Sequence, residues 1–166
     1  PAGEVLVRYV AFLRGINLGR RRVRMDDLRR LFEEAGFSQV STVVASGNVL
    51  FSARSVRAGA LERRIEALLK RRLGYDVDTY VRTAAEVADI AERAPFPPED
   101  VAAAHGVYVL FLRAALGTAL ARRLESCRTP IDLFHVEGRE IHWLCRVRQS
   151  DSDIWHSPAL KALSLP

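Results

Sequence analysis

The segment from residue 14 to residue 24 carries residue types suited to hold an anion, because it is rich in both glycine and arginine. It lies between an apolar run and a helical pattern. Glycine there allows left-handed backbone and close approach of a ligand, and N–H groups at a helix start suit a phosphate. We expect a ligand-binding site in this loop. Its candidate residues are Arg14, Gly15, Asn17, Gly19, Arg20, Arg22 and Arg24.

A second short turn, formed by Ser46, Gly47 and Asn48, is expected to lie beside this loop. If the first strand runs antiparallel to both the third and the fourth strands, its end lies beside the start of the third and also beside the start of the fourth, at Gly74, Tyr75 and Asp76. The turn would then share one concave surface with the loop. The alternative is that the glycines only form turns, and that Asn17 and Asn48 only satisfy loop backbone.

The chain lacks the signatures of several common active sites. The loop matches neither the phosphate-binding GxxxxGK[ST] pattern nor the dinucleotide-binding GxGxxG pattern. No GxSxG motif occurs, and the loop has no evident general base or nucleophile. Tyr9, Phe12 and Phe51 invite comparison with an RNA-recognition motif, but the expected aromatic run is absent. We therefore expect these three side chains in the core.

The remaining metal-ligating residue types form no recognisable motif. They are His135 and His142 in a predicted hairpin, Asp151, Asp153 and His156 in the tail, and the cysteines Cys127 and Cys145. The two hairpin histidines have no evident third ligand, and the tail residues suit helix capping. Two cysteines are too few for a disulfide framework and are expected to be buried thiols. We predict no metal site and no cofactor.

The basic excess of the chain belongs to its first half. The 166 residues carry a net charge of +5, with 16 basic against 9 acidic residues in 1–82 and 9 against 11 in 83–166. A one-sided positive field attracts nucleic acid, phosphorylated metabolites or anionic surfaces. The alternative is codon bias in a GC-rich genome, because only Lys70 and Lys161 are lysines.

Composition is that of a globular protein, with 49% hydrophobic and 27% charged residues. These values exclude disorder, collagen-like repeats and a coiled coil as the dominant state. No run of 18 apolar residues or signal-peptide layout is present, so we expect no membrane association. We expect a reduced, cytoplasmic protein.

Hydrophobic periodicity in residues 1–82 predicts a ferredoxin-like βαββαβ half. The predicted elements are a strand at Glu4–Leu13, a helix from Met25 to a stop at Gly36, strands at Gln39–Ala45 and Asn48–Ala53, a helix at Val56–Leu73 and a strand at Asp76–Arg82. The first strand is apolar on both faces, which indicates burial on both sides.

Residues 83–166 are expected to form a similar, incomplete αβαββ half packed against the first. The predicted elements are a helix from Thr83 with a capping box to Glu86, a loop at Ala94–Ala104, a strand at Val107–Arg113, a helix marked by Leu116, Leu120 and Leu124, and strands at Ile131–Val136 and Glu140–Arg146. One more short helix is expected in the tail. The predicted fold class is α+β, with antiparallel sheets in two ferredoxin-like halves.

Several segments resemble the bacterial domain-of-unknown-function family 1697. They are the YVAFLRGINLG run at residues 9–19, the segment from Val23 to Leu28, the Gly36-Phe37 pair and the ASGNVLF run at residues 45–51. The similarity is dense over residues 7–53 and looser to about residue 150. The resemblance implies two α+β, ferredoxin-like halves and brings no established activity. It also implies a further threonine-arginine-asparagine-tryptophan segment after residue 166, so we expect either a trimmed chain or one lacking that segment.

Two functional hypotheses are carried forward from the sequence, and a structural or assembly role, in which the sheet faces form a dimer, remains as a third alternative. The first is a binding module for a phosphate-bearing partner, either nucleic acid or a nucleotide-like metabolite, that uses the loop at residues 14–24. The second is a small-molecule enzyme with a site between this loop, the turn at residues 46–48 and the second half. The sequence favours binding, because neutral amides and arginines can stabilise an anion but cannot by themselves transfer a proton. It leaves open the oligomeric state.

Overall fold

The computed structural model describes residues 5–43, 47–163 and 165. Contacts divide the chain after Glu92 into two compact units, which are described separately below. Glu4, Val44, Ala45 and Ser46, which the sequence placed in the first strand, the second strand and the turn, lie outside the described residues.

The first unit contains an antiparallel four-stranded sheet in the order β2-β3-β1-β4. Its elements are β1 (Leu6–Leu13), α1 (Met25–Glu34), β2 (Ser38–Val43), β3 (Asn48–Arg54), α2 (Ala58–Leu73), β4 (Thr79–Thr83) and α3 (Ala84–Glu92). Strand β1 pairs antiparallel with both β3 and β4. This is the predicted ferredoxin-like arrangement, and its strand pairing is confirmed.

Both long helices of this unit pack on one face of the sheet. Tyr9, Ala11 and Leu13 alternate along β1 and join the buried stripes of α1 and α2 in a single core. Phe51 of β3 stacks on Tyr9 with ring centroids 5.6 Å apart, and both side chains are buried, as expected. Phe12 lies on the opposite face of β1 and is only partly buried.

Several element boundaries differ from the sequence prediction by a few residues, and two of them have local reasons. Helix α2 begins at Ala58 rather than Val56, because Val56 is held by the hydroxyl of Tyr9, which contacts both its N–H and its carbonyl oxygen. Strand β4 begins at Thr79 rather than Asp76, whose carboxylate lies 2.7 Å from the ammonium of Lys70.

Glutamate side chains occupy the outer edge of β4. The N–H groups of Thr79 and Val81 donate to carboxylate oxygens of Glu66 and Glu62 on α2, each at 3.0 Å. The next outward N–H, at Thr83, donates to Glu86 at 2.8 Å, and Glu86 N–H donates back to the Thr83 hydroxyl. This reciprocal pair is the predicted capping box. The edge of β4 therefore resists pairing with another chain.

The second unit contains an antiparallel three-stranded sheet in the order β5-β7-β6. Its elements are α4 (Pro98–Ala102), β5 (Gly106–Phe111), α5 (Thr118–Ser126), β6 (Asp132–Glu137), β7 (Glu140–Cys145), 3₁₀ turns at Gln149–Asp151 and Ile154–His156, and α6 (Pro158–Lys161). Strand, helix, strand and strand thus recur with the same neighbours as β1, α1, β2 and β3. Both sheets are antiparallel and the fold is α+β, as the sequence predicted.

The sequence missed α4, which lies within the segment predicted as a loop. This helix starts at Pro98, and proline is favourable at a first helical position because its missing N–H has no partner there in any case. Cys145 is buried, as expected, whereas Cys127 is only half-buried. None of the helices among the described residues has the length and apolar character needed to cross a lipid bilayer.

Candidate functional site

The glycine- and arginine-rich segment at residues 14–24 is here called the basic loop. It follows β1, which lies between β3 and β4 in the first sheet. Leu13 N–H donates to the carbonyl oxygen of Gly47 at 3.3 Å, and Arg14 N–H donates to the carbonyl oxygen of Asp78 at 2.9 Å. The antiparallel pairing of β1 therefore brings together residues about 30 and 60 positions apart in sequence, as its topology requires.

Gly47 allows a close approach between the turn and the basic loop. Its φ is +83°, and a Cβ built on it would lie 2.5 Å from Cγ2 of Ile16, which is almost completely buried. No other residue type fits that space without moving Ile16. Asn48, the next residue, is half-buried and pairs with Phe12 on one side and Val43 on the other.

Asn17 forms hydrogen bonds to other residues of the basic loop. Its side-chain oxygen Oδ1 accepts a hydrogen bond from the N–H of Val23 at 2.8 Å, and its carbonyl oxygen accepts one from Arg22 at 3.2 Å. The side-chain oxygen that the sequence offered to a ligand is therefore used to fix the loop backbone.

Arg22 and Arg21 also stabilise the conformation of the basic loop. Nη1 of Arg22 lies 2.9 Å from the carbonyl oxygen of Gly19 and 2.8 Å from that of Arg21, in addition to its contact with Asn17. The guanidinium of Arg21 lies 4.3 Å from the ring centroid of Tyr75, a favourable cation–π distance.

Tyr75 was expected at this edge of the sheet but was not predicted as a residue of the site. Its hydroxyl donates to the carbonyl oxygen of Ile16 at 3.1 Å, and its ring supports Arg21. It follows Gly74, the left-handed cap of α2, which turns the chain back toward the basic loop. Its expected position at the start of the fourth strand, beside the end of the first, was the available signal.

All five arginines of the basic loop are exposed, and the side chains of three of them, Arg14, Arg20 and Arg24, take no part in the loop contacts described above. Arg14 is 75% exposed, and its guanidinium lies 3.9 Å from the carboxylate of Asp78. Arg20 and Arg24 are also exposed, and neither makes an ion pair within the described residues. Gly15 and Gly19 provide positive φ values of +69° and +61° that shape the turn between them.

The start of α1 contributes less to anion binding than the sequence indicated. Asp26 and Asp27 occupy its first turn and are both exposed. Their carboxylates already complement the positive end of the helix dipole and would repel a bound anion. The positive charge available to a ligand is therefore that of the exposed arginines.

The candidate histidine pair of the second unit is a cross-strand pair. His135 and His142 face each other across β6 and β7, with ring centroids 6.1 Å apart. Burial lowers the pKa of His142, and the positive charges of His135 and Arg93 lower it further. Among the described residues, no group of three or more His, Cys, Asp or Glu side chains could hold a metal ion.

Comparison with known proteins gives a family and a fold. The family model described as a protein of unknown function, DUF1697, matches residues 6–142. The solved structure of the conserved bacterial protein SP0830 from Streptococcus pneumoniae is similar, with a TM-score of 0.71 and 19% identity, over 95% of this chain and 89% of that one. At this identity the similarity shows the fold alone. No curated protein matches the chain. Because the family model spans most of the sequence, the resemblance is confirmed, and the chain belongs to the DUF1697 family of proteins of unknown function.

Proposed function

We propose that this protein binds the phosphate backbone of a nucleic acid through the basic loop. The observation that carries the proposal is the exposure of Arg14, Arg20 and Arg24 on a loop whose shape is fixed by its own contacts. Guanidinium groups donate several hydrogen bonds in a plane and match phosphate oxygens well.

The internal contacts of the basic loop support this role. Asn17, Arg21 and Arg22 are used to hold the backbone, so the exposed arginines project from a framework that is ordered before any partner arrives. A binding surface that is ordered in advance loses less conformational entropy on association.

An extended polyanion fits the basic loop better than a small phosphorylated metabolite does. Small ligands are usually enclosed in a cavity that buries most of their surface. Cavities of about 390 and 400 Å³ among the described residues are lined by other segments of the chain, whereas the basic loop presents its arginines to solvent. A nucleic acid needs only an exposed positive surface, because phosphate contacts dominate its affinity.

The alternative of an enzyme receives no support from the basic loop. All of its ionisable side chains are arginines, which stay protonated and cannot act as a general base. The loop offers hydrogen-bond donors and positive charge, which are the means of binding an anion.

Salt titration of binding tests the proposal. The test variant is Arg20→Glu with Arg24→Glu, since neither side chain holds the loop together; Arg22 is avoided because it does. The matched control is Arg63→Glu with Arg71→Glu, two exposed arginines of α2 that give the same change in net charge. Binding to labelled 20-residue single-stranded and duplex oligonucleotides is measured by fluorescence anisotropy at several salt concentrations.

We expect the loop variant to bind more weakly and with a smaller salt dependence. Each lost phosphate contact lowers the logarithmic salt slope by ~0.9 on duplex and ~0.7 on a single strand. Equal losses in the loop and control variants would reject the basic loop as the site. Binding of a nucleotide without binding of either oligonucleotide, lost in Asn17→Ala, would instead indicate the small-metabolite partner.

A further inference from the structure

A cavity of about 400 Å³ lies in the second unit, beside the start of β6. This cavity, here called the β6-start cleft, is formed by the segment that leads into β6 and by the 3₁₀ turns that follow β7. Its lining residues are Thr129, Pro130, Ile131, Asp132, Asp151, Ser152, Asp153, Ile154 and Ser157. Its volume is within the range of cavities that hold small molecules.

The charged groups that line the cleft are all acidic. They are the carboxylates of Asp132, Asp151 and Asp153, and no basic side chain belongs to the described lining. Asp151 and Asp153 are exposed, whereas Asp132 is only 3% exposed. The cleft therefore combines a buried carboxylate with two exposed ones, and its charge favours a positive ligand.

Neutral groups hold the Asp132 carboxylate in place. Trp143 donates its indole N–H to Oδ1 at 2.8 Å, and the Thr129 hydroxyl donates to Oδ2 at 3.1 Å. The Ser152 hydroxyl lies 2.9 and 3.1 Å from the two oxygens, but its single proton can serve only one of them at a time. The carboxylate is therefore fixed in position, and one of its oxygens can accept from a further donor.

Asp132 has no counter-ion among the described residues, because the arginines near the cleft have other acidic partners. Arg146, which contacts the backbone of the cleft wall, pairs with Asp100, and Arg148 lies 3.8 Å from Asp151. Burying a charge is costly unless an opposite charge accompanies it. A cation bound in the cleft would supply that partner to Asp132.

Much of the remaining lining is apolar. Ile154 is buried, whereas Ile131 and Pro130 are exposed and leave apolar surface open to water. An aliphatic chain that covers this surface gains the free energy of burying it. The cleft therefore suits a cationic group carried on a short aliphatic body.

An ammonium group fits Asp132 better than a guanidinium or a metal ion does. A guanidinium binds best to a carboxylate whose two oxygens are both open, and here each oxygen already accepts a hydrogen bond. The described residues contain no group of three His, Cys, Asp or Glu side chains that could hold a metal ion. An ammonium concentrates its charge on one atom and needs a single oxygen.

We propose that the β6-start cleft binds a small primary aliphatic amine as its ammonium ion. The ammonium donates to the Asp132 carboxylate, and the alkyl chain packs against Ile131 and Ile154. The exposed carboxylate of Asp153 adds to the attraction. This site goes beyond the proposed nucleic-acid binding and does not depend on it.

n-Butylamine is the probe, compared with butyltrimethylammonium, which keeps the charge but has no N–H donor, and with 1-butanol, which has no charge. Binding is followed by amide chemical shifts, with circular dichroism as the check on folding. The test variants are Asp132→Asn and Asp153→Asn. The matched control is Asp89→Asn, at an exposed position of α3 that does not line the cleft.

We expect saturable shifts at Ile131, Asp132, Ser152 and Ile154. Butylamine should bind roughly 10-fold or more tightly than either comparison compound, because each of them lacks the charged hydrogen bond to Asp132. Asp132→Asn should abolish this preference. Asp153→Asn, which removes an exposed charge, should weaken butylamine binding roughly 2- to 5-fold and Asp89→Asn should leave it unchanged.

Shifts confined to other residues, or equal binding of the three compounds by the wild type, would overturn the proposal. If Asp132→Asn does not fold, the comparison of compounds on the wild type and the effect of Asp153→Asn still decide. Equal binding by Asp153→Asn and Asp89→Asn would also reject the site as placed. The variant with Arg20→Glu and Arg24→Glu must retain butylamine binding even if it loses oligonucleotides, which separates the two sites.

Discussion

The side-chain carboxylate of Glu62 accepts a hydrogen bond from the backbone N–H of Val81 at 3.0 Å, although Glu62 is only 3% exposed. A buried helix residue thus satisfies a backbone group at the outer edge of β4. Buried carboxylates are rare unless they are paired, and here the partner is the strand itself. The contact ties α2 to the strand that flanks the basic loop.

Removing this acceptor should destabilise the protein. Glu62→Ala leaves the Val81 N–H without its partner and should lower the free energy of unfolding by about 1–3 kcal/mol, whereas Glu62→Gln keeps an acceptor oxygen and should cost less. Urea unfolding measures both variants. Asp89→Ala, at an exposed position of α3, is the control and should change little. Equal stability of Glu62→Ala and the wild type would show that the contact contributes nothing.

Substitution of Gly47 should reveal how closely the basic loop and the turn pack. Gly47→Ala combines an unfavourable positive φ with a contact of 2.5 Å to Ile16, while Gly74→Ala has a similar φ of +82° and open space around its Cβ. The φ cost is about 1–2 kcal/mol in both. Thermal unfolding should therefore show a larger loss for Gly47→Ala than for Gly74→Ala. In an Ile16→Ala background, which lacks the contacting Cγ2, the further loss caused by Gly47→Ala should be smaller than in the wild type. If both glycine variants lose the same stability, the close contact with Ile16 is absent in solution.

The hydrogen bond from Val23 to Asn17 should control local opening of the basic loop. Asn17→Ala removes the acceptor, whereas Asn17→Asp retains an oxygen in the same place. A hydrogen bond of about 0.5–1.5 kcal/mol corresponds to roughly 2- to 13-fold faster amide exchange once it is lost. Hydrogen exchange at Val23 should accelerate by that factor in Asn17→Ala only. Unchanged exchange in both variants would contradict the role assigned to Asn17.

His142 should make stability depend on pH below neutrality. Burial, with the positive charges of His135 and Arg93, lowers its pKa in the folded protein below the ordinary value of 6.5, against smaller opposing effects of Glu137 and Glu140. The unfolded chain then binds more protons at this position, so stability is complete above pH 6.5 and is lost as the pH falls. The slope is at most about 1.4 kcal/mol per pH unit.

Urea unfolding at pH 7.5 and pH 5.5 measures this dependence. His142→Leu should lose less stability between the two pH values than the wild type, while His156→Ala, at an exposed position, should behave like the wild type. A wild-type loss no larger than that of His142→Leu would show that His142 does not titrate differently on folding.

The sequence contained enough information for the strand and helix order and for the antiparallel sheets. Alternation along β1 and the apolar stripes of α1 and α2 are local patterns, and a βαββαβ order restricts the strand arrangement to few alternatives. The neighbourhood of the basic loop and Gly47 followed from that topology, since antiparallel strands place the end of one beside the start of the next.

Tertiary structure decided what each side chain of the site does. Asn17 and Arg22 looked like ligand residues by type, yet their nearest partners are backbone groups of the same loop, and composition carries no information about which polar partner is closest. The hydrogen bond from Tyr75 to Ile16 and the stacking of Arg64 over Phe37 join residues far apart in sequence. Sequence periodicity reports which face of an element is buried, because burial follows the local repeat. Contacts between side chains on different elements follow from packing in three dimensions, and only the folded chain determines them.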